Sequence, residues 1–261
     1  MHIDERLKKK KYPILEFDAT RKAVIEPGEV VKPENVPTRC VICFFSDVIA
    51  KLYKKGITKK IGVLNSEMGP NPIYELKTAG KGLALVHLGI GSPLVAGFLE
   101  EMIARGCSKF IVCGGAGVLD KKITVGHIVI PVAAIRDEGT SYHYMPPGRE
   151  VYASPKGVKA IKNVLKKRGI PYIEGKTWTT DGIYRETPGK VKLRKSEGCL
   201  TVEMEAAAFF AVANFRNVTL AQMLYSGDDV SGKEWDPRNG HKRDSVRMKL
   251  FWLAAEACLS L

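Results

Sequence analysis

KFIVCGG, residues 109–115, is a short run of apolar residues closed by two glycines, the pattern of a strand covered on both faces. Such a strand belongs in a sheet with helices packed on either side, so its neighbours should alternate between strand and helix periods. They do. Immediately upstream, Pro93 opens PLVAGFLEEMIARG, where Leu94, Phe98, Met102 and Ile103 keep helical spacing and Gly106 ends the helix. Before it, RCVICFF (39–45), KKIGVLN (59–65) and LALVHLG (83–89) read as strands, and DVIAKLYKKG (47–56) as a short helix ending at Gly56. Downstream, HIVIPVAAI (127–135), YIEGKTWTT (172–180), LTVE (200–203) and VTLAQMLYSG (218–227) are further strands. Between them lie the amphipathic SPKGVKAIKNVLKKRG (154–169), with Ser154 placed to cap and Pro155 in its first turn, and the helix MEAAAFFAVANF. A last amphipathic helix fills roughly residues 243–260.

The alternation predicts one α/β domain over residues 38–261, a three-layer α/β/α arrangement around a largely parallel, mixed central sheet. Residues 1–37 read as an extended segment, because Pro13, Pro27, Pro33 and Pro37 rule out a long helix. No internal repeat and no long linker divides the remainder.

Composition narrows the classes. With 45% hydrophobic and 26% charged residues in 261, the chain can bury a sizeable core and is not of disordered type. No apolar run approaches the roughly 18 residues of a membrane helix. The opening MHIDERLKKKKYPILEFD lacks the apolar stretch of a signal peptide, so the expectation is a cytoplasmic protein with no membrane partner. Cys40, Cys43, Cys107, Cys113, Cys199 and Cys258 sit mostly in apolar runs, as buried reduced thiols do. Cys40 and Cys43 form a CxxC on a strand, where residues three apart face opposite ways, so no metal is expected there. The net charge of +13 comes from lysines in separate places, at 8–11, 54–55, 59–60 and 166–167. Without interleaved aromatics these read as a solvated basic surface, with no nucleic-acid partner.

Ligands of open α/β sheets bind beyond the carboxyl ends of the strands. Four tips qualify: GIGS (89–92), CGGAG (113–117), VEMEAAA (202–208) and YSGDDVSG (225–232). The first two offer backbone N–H groups that can cradle an anion, with no Cβ to hold it away; the competing reading is tight packing turns. Neither matches a Walker or dinucleotide fingerprint, which disfavours ATP and NAD. Glu203 and Glu205 flank Met204 beside an apolar helix. A carboxylate accepts two hydrogen bonds at once, which suits neighbouring hydroxyls of a sugar, and methionine offers the sugar a soft apolar face. The competing reading is that the acids complement the helix's positive end. Asp228 and Asp229 are adjacent carboxylates that should raise one another's proton affinity, leaving one as a general acid near neutral pH. Against that stands an Asx turn or cap ahead of Val230–Ser231.

These tips resemble, in this order and over about residues 40–230, the nucleoside phosphorylase family that includes purine nucleoside and uridine phosphorylases. GIGSPLVAGFLEEM resembles its strand-to-helix motif, VGHIVIPVAAIRDEGTSYHY its uridine-type members, and VEMEAAAFFAVA its ribose-binding signature, the most specific of the three. The resemblance implies N-glycosidic cleavage through an oxocarbenium-like sugar, with phosphate as co-substrate, no cofactor, and a homo-oligomer (dimer or hexamer). It places Glu205 on the ribose hydroxyls, Met204 against the ribose, and Glu203 near the base or sugar. Asp228 matches the aspartate that serves N7 of a departing purine, Ile183 or Tyr184 the position packed on the base, and Gly114 and Gly115 the phosphate turn.

The chain departs from the pattern at the anion. Val48, Val112 and Glu75 stand where phosphate arginines are expected, Gly115 where a Ser or Thr is usual, and FFSD replaces a glycine-aspartate-proline turn. Three lost charged hydrogen bonds, at roughly 1.5–3 kcal/mol each, remove about 4–9 kcal/mol of phosphate binding, a factor of about a thousand or more. Arg39, Lys51, Arg136 and Arg185 are candidate substitutes, and His2 and His143 candidate donors across a subunit contact. The expectation is phosphorolysis of a purine nucleoside to free base and pentose 1-phosphate. The alternatives are a nucleosidase using water in the same pocket, and a nucleoside-binding protein without turnover.

Overall fold

The parallel centre of the sheet is built from the strands the apolar runs predict. In the computed structural model, which describes residues 7–31, 35–78, 80–238 and 243–261, the first elements are α1 (Pro27–Val30), β1 (Arg39–Cys43), α2 (Ser46–Lys54), β2 (Thr58–Ser66) and β3 (Gly69–Thr78). β4 (Lys81–Val86), α3 (Ser92–Ala104), β5 (Lys109–Val118), β6 (Ile128–Asp137), β7 (Glu150–Tyr152) and α4 (Pro155–Lys167) follow. The chain ends with β8 (Tyr172–Thr180), α5 (Pro188–Ser196), β9 (Cys199–Glu203), α6 (Ala206–Arg216), β10 (Thr219–Asp229) and α7 (Arg243–Leu259). His2 and Pro33 lie outside the described residues.

β4, β1, β5 and β10 run side by side in parallel, with Cys40 beside both Ala84 and Phe110, and Leu220 beside Phe110. β10 then turns to pair with β6, β6 with β8, and β8 with β9, and β9 returns to β5 at Gly117 and Val118. Five strands therefore close on themselves, which leaves no free edge at the end where the tips gather. Half of the strand pairings are antiparallel, so the sheet is mixed.

Two helical layers cover it. α3 and α6 enclose one core with Phe98, Leu99, Phe209 and Phe210, and α2, α4 and α7 enclose the other with Leu52, Ile161, Leu165 and Phe251. Cys40 belongs to the first core and Cys43 to the second, as strand alternation requires. All six cysteines are buried and unpaired. Among the described residues no helix is long and apolar enough to cross a membrane.

Three elements escape the sequence pattern. β3 contains Pro70 and Pro72, which argue against a strand inside a sheet. The structure tolerates them because β4 pairs only with Tyr74–Thr78, so both prolines lie on the stretch that β2 alone flanks. β7 is three residues long, and α5 begins at Pro188, its first turn capped by the Thr187 hydroxyl accepting from Lys190 N–H. Ser154 occupies the predicted N-cap of α4, but its side chain makes no capping bond. α4 lies so close to β10 that a Cβ on Gly157 would stand 2.7 Å from Ala221 Cβ.

Candidate active site

The GIGS and VEME tips are tied to each other. Gly89 and Gly91 take φ of +84° and +93°, a backbone that side chains rarely permit. The turn aims the Gly91 N–H at Glu205 Oε1, 2.8 Å away, while Ser92 Oγ donates to the Met204 carbonyl at 2.7 Å. Glu205 is thereby fixed at the start of α6, with its carboxylate turned from the helix into a cavity.

Glu203 does different work. Its Oε2 accepts the N–H groups of Glu205 (2.8 Å) and Ala206 (2.6 Å), and its Oε1 accepts the Thr179 and Thr177 hydroxyls at 2.6 and 3.4 Å. The helix-end reading of an acid at this position thus describes Glu203, which satisfies the orphan N–H groups of α6. Burial pushes the Glu203 carboxyl up, against those four donors. The Glu205 carboxyl rises to about 8, through burial first and the charge of Glu203 second.

A cavity of about 280 Å³ opens over these residues, reached by Met204, Glu205, Gly114, Gly115, Ile183 and Asp228 among others. A second cavity, of about 620 Å³, shares Ile183, Glu186 and Asp228 with the first. Glu205 thus lines only the first, inner cavity, and Asp228 lies where it meets the second, outer one. Tyr184, 93% exposed, lines only the outer cavity, whereas Ile183 lines both.

The two adjacent aspartates do not couple as the sequence suggested. Asp229 turns away, accepts the Ser231 N–H at 2.8 Å and pairs with Arg238 at 3.2 Å. Burial opposes its charge, but Ser231 and Arg238 outweigh it and hold the carboxyl below its usual range. Asp229 is the Asx-turn residue, and Asp228 alone faces the cavities. Beside Asp228, the carboxyl with raised proton affinity is Glu186, pushed to about 7 by burial and then by the charge of Asp228.

The anion corner is apolar. Val48 and Val112 are fully buried and line neither cavity, and Glu75 on β3 lies against Gly82, away from both. Phe44 packs over Gly114, and the Tyr225 ring stands 2.9 Å from where a Cβ on Gly115 would lie. The proposed substitutes are elsewhere. Arg39 starts β1 beside Lys109, at the end away from the tips, and Lys51 pairs with Asp47 and Asp244. Arg136 is engaged by Ser141 Oγ and the Pro146 and Met145 carbonyls, while Arg185 and His143 line neither cavity. Among the described residues, the one basic side chain on the inner cavity is Arg243, which also donates to the Pro237 carbonyl.

Sequence reasoning missed Phe44, Glu186, Gln222, Tyr225, Trp235 and Arg243. Gln222 had a signal, as the lone polar side chain amid the apolar LAQML of β10, and it is buried on the cavity floor. The others sit at strand tips, in loops or, for Arg243, at the start of α7, where no period marks them.

The family model described as the phosphorylase superfamily matches residues 38–250, and the chain belongs to that superfamily. It is 27% identical over 150 residues to uridine phosphorylase of Haemophilus influenzae, covering 52% of this chain and 59% of that protein. It is 26% identical over 180 residues to the DeoD-type purine nucleoside phosphorylase of Clostridium novyi, covering 68% and 76%. The chain spans between 54% and 65% of the length of three curated relatives it matches. Purine nucleoside phosphorylase from Toxoplasma gondii, crystallised with immucillin-H, superposes with a TM-score of 0.77 at 19% identity, covering 88% of this chain and 93% of that one, and so shares the fold.

Proposed function

We propose that the protein cleaves the N-glycosidic bond of a purine nucleoside with phosphate, giving free base and pentose 1-phosphate. One observation carries the reading: Glu205 and Asp228, 23 positions apart in the chain, line one cavity with Met204 between strand and helix. Glu205, oriented by the Gly91 N–H, accepts the sugar hydroxyls, and Met204 packs against the sugar. As the C1′–N bond lengthens, the base takes the bonding electron pair and a proton from the Asp228 side of the pocket. Glu186, with a pKa of about 7 beside Asp228, supplies that end with a proton near neutral pH. A phosphate oxygen then bonds to C1′, held by Arg243 and the Gly114–Gly115 backbone. No cofactor takes part in this chemistry, and we place the enzyme in solution as a homo-oligomer, in line with the family resemblance.

A second reading keeps the bond broken and changes the acceptor to water. Phe44 and Tyr225 over the glycines favour it, since they leave one arginine where the family pattern expects several cations. Purine and pyrimidine nucleosides incubated with and without phosphate, with base release followed by chromatography, separate the two. Phosphate-dependent release of purines supports the first reading, and phosphate-independent release the second. Tight binding with no release from any nucleoside removes both.

A further inference from the structure

Beyond the strand end that carries Asp228, the chain does not simply leave the site. It folds back on itself. Asp229 N–H donates to the Asp236 carbonyl at 2.9 Å, and Asp236 N–H returns a bond to the Asp229 carbonyl at 3.0 Å. The Asp229 carboxylate closes the turn on the Ser231 N–H and grips Arg238, whose Nη1 donates to the Ile123 carbonyl at 2.8 Å. Arg238 adopts a φ of +50°, a conformation that is unfavourable for a side-chain-bearing residue and persists only when its surroundings fix it. Residues 230–238 are therefore a strap pinned at both ends to the last strand.

The strap delivers one side chain to the site. Trp235 Nε1–H donates to Asp228 Oδ2 at 2.8 Å. Among the described residues no other hydrogen bond reaches that carboxylate. Trp235 is 66% exposed, so burial does not account for a large aromatic there, and its N–H is donor only. Glu186 lines the same two cavities as Asp228, and its charge repels an untethered carboxylate there. We propose that Trp235 is a positioning residue that aims Asp228 at the departing base, and that the strap pinned by Asp229 brings it there. The adjacent aspartates thus divide the labour: Asp228 meets the ligand, and Asp229 anchors the loop that steers it.

The inference rests on the nucleoside-cleaving reading, and Trp235→Phe tests it because the ring remains while the donor goes. kcat for a purine nucleoside falls about 10–100-fold, with KM within about threefold. A 4-nitrophenyl riboside, whose leaving group needs no proton, is cleaved within about threefold of the wild-type rate. Trp235→Phe combined with Asp228→Asn is no slower than Asp228→Asn alone, as for residues acting as one unit. Undiminished purine turnover in Trp235→Phe, or losses that multiply in the double variant, overturns the proposal. A readout independent of turnover separates its failure from that of the proposed activity: the Trp235 indole N–H resonance moves upfield in Asp228→Asn. An unmoved resonance overturns the tether whatever the enzyme cleaves.

Discussion

Thr179→Val removes one hydroxyl from the brace under the sugar-side acid. The Thr179 side chain is buried, donates to Glu203 Oε1 at 2.6 Å and accepts the Ala207 N–H at 2.9 Å. Valine has the same shape and neither function. The lost bond to a carboxylate is worth about 1.5–3 kcal/mol, and the orphaned buried N–H costs about 1–3 kcal/mol more. Allowing for relaxation, a destabilisation of about 3–4 kcal/mol follows. For chains near this size, each kcal/mol lowers Tm by about 2–4 °C, so calorimetry should show a fall of about 6–16 °C. Thr177→Val is the comparison: it loses the long 3.4 Å contact with Glu203 and the 3.0 Å bond donated by Thr201 Oγ1 but orphans no backbone N–H, so its shift should be smaller. Turnover in Thr179→Val should fall as well, because the brace sets where α6 begins and hence where Glu205 points. A Tm change under about 2 °C, or equal damage from the two variants, would refute the reasoning.

Glu203, Glu205 and Glu186 bind protons more tightly folded than unfolded, with pKa values of about 7, 8 and 7 against an ordinary 4.5. The native state thus holds more protons than the unfolded chain between about pH 4.5 and 8, so stability falls as pH rises through that window. His87, lowered by burial, acts in the opposite sense only below its ordinary 6.5. Melting at pH 6.5 should therefore exceed melting at pH 8.5 by several degrees, and a higher Tm at pH 8.5 would reverse the sign. Above pH 8, where the Glu205 carboxyl is charged, Glu205→Gln should lower kcat/KM for ribonucleosides by about tenfold or more, the loss of one charged hydrogen bond, measured by base release; an unchanged value removes its sugar role. Gly115→Ser should destabilise by about 1–3 kcal/mol, because its Cβ meets the Tyr225 ring at 2.9 Å. A urea melt reads that cost, and Tyr225→Leu should relieve most of it.

Which parts of this protein announce themselves in sequence follows from period and glycine. KFIVCGG, RCVIC and LALV are apolar runs because helices cover both of their faces, and AAAFFAVA is apolar on every side because α6 packs on the sheet and against α3. Gly89 and Gly91 mark a turn that needs positive φ, and VEME marks a change of period with acids where none belongs by packing. These are local constraints, written residue by residue. β3 was illegible because its prolines are harmless only where β4 stops short, a matter of register between strands.

The division of roles within each acidic pair is of the same kind. Nothing local distinguishes Glu203 from Glu205, or Asp228 from Asp229. Thr179 and the start of α6 claim the first glutamate, and Arg238 claims the second aspartate, from positions distant in the chain or hidden in a loop. Spacing along a strand or helix fixes which face a side chain takes. Only the folded chain decides what waits on that face, because the partner's position depends on how separate elements pack.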